Sequence, residues 1–337
     1  MANVLQRGIE AHQRGDLPEA KRQFEQTLVT ALHNLAFVHE QLGDDDEAQR
    51  FYRQALDLDP GQDECAYALA LSLLRCGRYA EAWPLHERRR GISRLSISAG
   101  KPHWPEWRGE DLAGKRLAVL IEQGFGDQIM LARFLAPLRA MGAEVILACG
   151  PELAELLQGQ TSLRRDEFDY WCLLGSLPHL LQASLDSLPP PVALPVQWRG
   201  GGGIGVKTAG SPRHAKDALR TPPPEIRARL HQLGLDLDPA ATGAQTFLDT
   251  AKIIAGLDLV ITVDTSIAHL AGSIGVPTWV LLPAHAADWR WLRARTDSPW
   301  YPSVRLIRQA APGDWGAVVD EVLTGVKASR AAPAATA

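Results

Sequence analysis

The chain is 337 residues long, 46% hydrophobic and 22% charged, with a formal net charge of −4. That length supports two or three domains with buried cores, and the interspersed charges exclude both the basic footprint of a nucleic-acid binder and a polybasic membrane-surface patch. No apolar run approaches the ~20 residues of a membrane span, and MANVLQRGIEAHQRGD at the N-terminus has no apolar core before a cleavage site, so a cytoplasmic protein is expected. The four cysteines, Cys65, Cys76, Cys149 and Cys172, lack paired metal-ligand spacing. They are expected to be reduced and buried, and no metal site is expected.

Repeats dominate the first 92 residues. Gly15, Gly43 and Gly77 each follow an amphipathic stretch. Small residues stand seven positions earlier (Gly8, Ala36, Ala70), alanines five positions later (Ala20, Ala48, Ala82), and rings nine positions later (Phe24, Tyr52, His86). Small residues at a helix crossing, a turn glycine and a ring in the second helix form the tetratricopeptide pattern, whose period is about 34. The spacing from Gly43 to Gly77 is 34, whereas that from Gly15 to Gly43 is 28, so the first unit is abbreviated. Its QTL runs straight into VTALHNLA, which predicts a bent or fused helical connection. Such an array serves either as a concave peptide-binding surface or as a rigid helical spacer.

Residues 93–111 gather Gly, Ser and Pro and read as a linker. Strand and helix patterns then alternate, which predicts parallel sheets covered by helices. RLAVLIEQ reads as a buried strand, DQIMLARFLAPLRAMG as a helix and EVILACG as a second strand. The stretch 151–195 is less regular and contains SLPPPVALP, a connection between lobes. A second series follows: strand GIGVK, helix FLDTAKIIAGL, strand DLVITVD, helix TSIAHLAGSIG, strands PTWVLLP and VRLIR, and a closing helix near 314–326. The stretch 222–245 is short for a strand and helix. The predicted architecture is therefore α/β: a tetratricopeptide-repeat domain at 1–92, an N-terminal Rossmann-like lobe at 112–195, a C-terminal Rossmann-like lobe at 196–326 and a disordered tail at 327–337.

Two turns concentrate the chemistry. In DLVITVDTSIAHLAG, a buried strand ends at Asp264, and Thr265 and Ser266 open a helix at the carboxyl edge of the sheet, where α/β proteins bind ligands. Unpaired N–H groups and the helix dipole suit that turn to a diphosphate, with His269 one turn further in. Asp264 or Thr265 serves equally as a plain helix cap, and His269 as a core residue. The other turn is GFGD, where Gly124 and Gly126 permit a tight turn and Asp127 stands at the helix start, as a proton acceptor or again as a cap. A dinucleotide fingerprint fails here because Ile129 occupies the place of its third glycine. Lys207, Arg213, His214, Lys216 and Arg220 gather around Gly210, a turn glycine, either as contacts for a leaving phosphate or as a solvated basic loop. Asp288, Trp289, Arg290 and Trp291 follow a strand end and either border a nucleotide or pack the last helices.

The runs EQGFGDQIMLARFLAPLRAMGAEVILAC, GIGVKTAGSPRHAKDALRTPP and DLVITVDTSIAHLAG through APGDW resemble bacterial tetratricopeptide-repeat proteins with a heptosyltransferase-like (glycosyltransferase family 9-like) domain. They are more distantly similar to protein O-GlcNAc transferases, which also join such repeats to a GT-B fold. The resemblance implies a GT-B-like pair of Rossmann-like lobes. It makes Asp264, Thr265, Ser266 and His269 the holders of the nucleotide diphosphate and Asp127 the general base of an inverting, metal-independent transfer. The implied activity moves a sugar from a nucleotide-sugar donor to a protein, peptide or glycan hydroxyl, without a further cofactor. The implied partners are the nucleotide-sugar and a protein or peptide acceptor on the repeats. Thr208 and Ser211 stand where relatives carry tryptophan and asparagine, which motivates a first alternative, a non-catalytic nucleotide-binding adaptor. A GT-B-fold sugar-nucleotide epimerase or hydrolase is the second.

Overall fold

The computed structural model of the chain describes residues 2–95, 102–163, 168–211, 217–285 and 287–331. They belong to two compact units, 1–98 and 99–337.

The first unit is helical: α1 (Ala2–Gln13), α2 (Leu17–Leu42), α3 (Asp45–Leu58), α4 (Asp63–Arg75) and α5 (Tyr79–His86). Asp16 caps α2 by accepting the Glu19 N–H at 3.2 Å. Gly43 ends the helix at φ +84°, the left-handed conformation that an L side chain resists. Ala36, Ala48, Ala70 and Ala82 are fully buried, so the helices cross where the repeat pattern places its small residues. Arg75 on α4 donates to Glu40 on α2 at 3.0 Å and to Asp45 on α3 at 3.4 Å, and all three are buried. Removing one partner of such a group leaves an uncompensated interior charge, typically at a cost of about 3–5 kcal/mol. α2 is a single helix of 26 residues. No glycine or proline interrupts it between Glu19 and Leu42, whereas Asp59-Pro60-Gly61 breaks the chain between α3 and α4.

The second unit contains two parallel sheets. The elements around the first are β1 (Arg116–Leu120), α6 (Phe125–Leu131), α7 (Leu135–Ala140), β2 (Glu144–Ala148), α8 (Pro151–Leu157), β3 (Tyr170–Leu173) and α9 (Leu177–Leu180). Its strand order is β2-β1-β3, with Leu117 level with Val145 on one side and Tyr170 on the other. Around the second are β4 (Ile204–Lys207), α10 (Asp217–Arg220), α11 (Pro224–His231), β5 (Leu235–Asp236), α12 (Pro239–Thr242), α13 (Phe247–Ala255), β6 (Leu259–Val263), α14 (Ser266–Ile274), β7 (Thr278–Leu282), β8 (Val304–Arg308) and α15 (Trp315–Ala331). The order here is β5-β4-β6-β7-β8. Every residue of β6 is buried, as expected for a parallel strand covered on both faces. Val206, Ile261, Val263, Leu281 and Ile307 form one core layer with Trp315, Val318, Val319 and Val322 of α15.

Three details depart from the sequence pattern. The helix expected over DQIMLARFLAPLRAMG is broken by a 3-10 turn at Ala132–Phe134 between α6 and α7. Pro137 has no N–H for the Arg133 carbonyl, and its ring crowds that carbonyl. α15 continues through Ala331, into the stretch expected to be disordered. Cys65, Cys149 and Cys172 are buried as expected, but Cys76 is exposed, because it caps the end of α4 beside the Gly77 turn. In 222–245 the chain fits α11 and a two-residue edge strand, β5.

Candidate functional site

In the second sheet the chain leaving β4 turns to β5 on one side, while the chain leaving its other neighbour β6 turns to β7 on the opposite side. The carboxyl ends of β4 and β6 are therefore a topological switch point, the crevice in which open α/β sheets take ligands. Asp264 and Thr265 follow β6, and Thr265, rather than Asp264, caps α14: its Oγ1 accepts the Ile267 N–H at 3.3 Å and lies 3.2 Å from Thr262 Oγ1. No acidic residue stands in the first turn of α14, so its N–H groups and positive dipole end are not neutralised by the helix itself.

Arg220 spans the crevice. Its Nη1 donates to the Asp264 carbonyl at 2.6 Å, its Nη2 to the Ser211 carbonyl at 3.5 Å, and its Nε to Asp217 Oδ1 at 3.0 Å. Gly210 makes this possible, because a Cβ there would fall on the guanidinium. Arg220 thus ties the loop after β4 to the turn after β6. Lys207 is also engaged: its Nζ donates to Asp238 Oδ2 at 2.6 Å, which holds the Asp238 carboxyl below its ordinary range. Thr208 is buried, and its Oγ1 is 2.8 Å from Nε2 of the half-buried His231. Arg213, His214 and Lys216 lie outside the described residues.

The GFGD turn follows β1. Gln123 just before it has φ +64°, a left-handed conformation that costs a non-glycine residue energy and recurs where a turn aims side chains. Gly124 precedes α6, and its N–H donates to Asp127 Oδ2 at 3.0 Å. The other oxygen of Asp127 is ion-paired with Arg290. Arg290 comes from the chain after β7. It also donates to Asp288 Oδ1 at 2.6 Å and lies 4.5 Å from the centre of the Trp289 ring. Asp127 keeps some exposure, and a carboxylate with about four lone-pair positions retains acceptor capacity beyond these two bonds.

The two turns are in direct contact. A Cβ on Gly126 would stand 2.7 Å from His269 Cδ2 and 3.6 Å from the Ser266 Cα, so only glycine permits this approach of α6 to α14. His269 is buried behind the turn. Its ring stacks on Trp291 at 5.2 Å, and its Nδ1 is 3.1 Å from the Tyr301 hydroxyl. Burial, reinforced by the charge of Arg133, pushes its pKa down to about 3, so the imidazole is neutral. The same burial raises the Tyr301 pKa. The structure thus brings Asp127, Asp264, Thr265, Ser266 and Arg220 to one edge, with His269 packed beneath them. Sequence patterns did not single out two supports, Tyr301 and Arg133. Arg133 donates to the Trp300 carbonyl at 2.8 Å and the Pro189 carbonyl at 3.2 Å. Its signal was a charge inside the apolar run IMLARFLAPL; Tyr301 gave none, because its partner is 32 residues away. Among the described residues, no group of three or more His, Cys, Asp or Glu is placed to hold a metal ion, and no helix is long and apolar enough to cross a membrane.

Comparison with known proteins begins with the helical unit, where the tetratricopeptide-repeat family matches residues 29–62 and 64–82. These segments are tetratricopeptide repeats. Across 88% of its length the chain is 27% identical to Protein FlbA of Caulobacter vibrioides, and it spans 61% of that protein. Two solved structures are similar beyond the repeats. One is the glycosyl transferase family 9 protein from Veillonella parvula, with 10% identity, coverage of 68% of this chain and 93% of that one, and a TM-score of 0.43. The other is the iron-containing dodecameric glycosyltransferase TibC from enterotoxigenic E. coli, with 13% identity, coverage of 66% and 78%, and a TM-score of 0.46.

Proposed function

We propose that the α/β unit transfers a sugar from a nucleotide-sugar to a hydroxyl of a protein, peptide or glycan. The observation that carries this reading is the contact between the Thr265–Ser266 turn and the GFGD turn. It sets a helix N-terminus with no acid in its first turn beside a partly exposed carboxylate, at the switch point of a parallel sheet. In this reading the donor diphosphate lies against the first N–H groups of α14, and Arg220 supports its charge through the Asp264 carbonyl turn. The acceptor hydroxyl attacks the anomeric carbon on the face opposite the diphosphate. The bond from that carbon to the phosphate oxygen breaks with its electron pair on the diphosphate, and Asp127 takes the hydroxyl proton. In this reading the anomeric centre is inverted, and Arg220 with the first N–H groups of α14 neutralises the leaving diphosphate in place of a metal. Asp264 and His269 act by shaping the turn, His269 as its neutral floor.

A non-catalytic nucleotide-binding adaptor is the second reading, favoured by the ion pair that ties Asp127 to Arg290. One experiment separates them: nucleoside diphosphate release from a panel of nucleotide-sugars, with and without hydroxyl acceptors. Acceptor-dependent release supports transfer. Binding without release under any acceptor supports the adaptor, and the absence of nucleotide-sugar binding contradicts both.

A further inference from the structure

The two joints between successive repeats differ. At the second joint α3 packs on α4: Gln49 Nε2 donates to Ser72 Oγ at 3.2 Å, and the Cys65 thiol donates to the Tyr52 carbonyl at 3.5 Å. Tyr52, Leu69 and Ser72 are 0%, 3% and 0% exposed there. At the first joint the repeat is six residues shorter, and α2 runs straight through the place where the chain would turn back. The residues in the equivalent repeat positions, Phe24, Leu35 and Val38, are 38%, 41% and 50% exposed. A straight helix cannot fold onto itself, so the half of α2 before Leu28 never meets the half after Val29. Each half therefore presents a surface that a neighbouring helix covers elsewhere in the same unit.

We propose that a second copy of this chain supplies that contact, the two α2 helices lying antiparallel about a two-fold axis near Val29 and Thr30. The register follows from the second joint. Gln49 and Ser72, which meet there, correspond in the repeat to Lys21 and Val38. Carried across two copies, that register pairs Leu17 with Leu42 of the other copy, Lys21 with Val38, Phe24 with Leu35, and Leu28 with Ala31, which sets the axis between Val29 and Thr30. These eight positions alternate by three and four along α2, the knobs-into-holes spacing of a paired helix seam. Leu17, Phe24, Leu28, Leu35, Val38 and Leu42 are all exposed in the single chain. Every layer is self-complementary under the two-fold, as an isologous dimer requires, and Lys21 is the polar seam residue that fixes register. The repeat shortening thus exchanges a contact within one chain for the same contact between two, which is domain swapping.

Sedimentation of the full chain tests this against two variants. One inserts a second copy of segment 57–62, Asp-Leu-Asp-Pro-Gly-Gln, between Leu28 and Val29, restoring the spacing of 34 found at the second joint. The other is Leu35→Glu, which alters only an exposed position of the single chain. The wild type sediments as a dimer and both variants as monomers, with helicity retained in Leu35→Glu. In a Cys76→Ser background, the double variant Phe24→Cys/Leu35→Cys forms an intermolecular disulfide, since the two sites stand about 16 Å apart along one helix. A wild type that stays monomeric at high concentration overturns the proposal, and so does a dimer that survives both the insertion and Leu35→Glu.

Discussion

The turn that opens α6 and the turn that opens α14 both follow a buried parallel strand at the carboxyl edge of its sheet, yet they are capped differently. At α6 the Asp127 carboxylate takes the Gly124 N–H, so the helix supplies its own anion. At α14 the cap is the neutral Thr265, no acid stands in the first turn, and Arg220 is bound to the carbonyl just before it. In the proposed reading a diphosphate lies against the second turn, where the helix N–H groups are not already taken by an acid of the first turn. In the proposed transfer the same strand-turn-helix unit, changed at its cap, serves as proton acceptor in one place and anion site in the other, and Gly126 lets the two touch.

The most damaging way to break this division is at Asp127. Asp127→Asn keeps the shape and an acceptor for the Gly124 N–H but removes the base. Turnover is expected to fall by about 10²- to 10⁴-fold, with the acidic limb of the pH profile lost. Unchanged turnover in that variant removes Asp127 from the chemistry.

A smaller effect concerns the floor beneath the second turn. His269 has a folded pKa of about 3 against an ordinary 6.5, through burial and then Arg133. The unfolded chain binds that proton more readily. Its contribution to stability is therefore complete above pH 6.5 and is lost as pH falls toward 3. Within that window the slope from this one group is at most about 1.4 kcal/mol per pH unit. His269→Phe flattens the dependence of the urea midpoint on pH relative to the wild type. Equal slopes in the two proteins contradict a buried neutral imidazole.

Much of this was legible in the sequence because local pattern and tertiary role agree. The β-branched run LVITV, the cap Thr265 and the glycines of GFGD announce a strand and two turns, and the repeat period announces the helices. The pairing of Asp127 with Arg290 spans 163 residues and the stacking of His269 on Trp291 joins α14 to the turn after β7, so neither leaves a periodic trace. The break between α6 and α7 was signalled by Pro137 but outweighed by the apolar spacing around it. The short strands β3 and β5 escaped because four and two residues cannot establish an alternation. The basic loop illustrates another limit. Its charge was plain, but that Lys207 is bound to Asp238 and Arg220 to backbone carbonyls is decided by the fold.

In the proposed transfer the α14 mouth, and not the α6 mouth, takes the anion. Calorimetric titration of nucleoside diphosphates into the wild type, Arg220→Ala and Asp127→Asn tests it most directly. Loss of a charge-assisted contact is worth about 1.5–3 kcal/mol, so Arg220→Ala should weaken binding by about tenfold or more, while Asp127→Asn leaves affinity within about twofold. Binding that survives Arg220→Ala but collapses in Asp127→Asn would place the anion on the other turn and contradict the account.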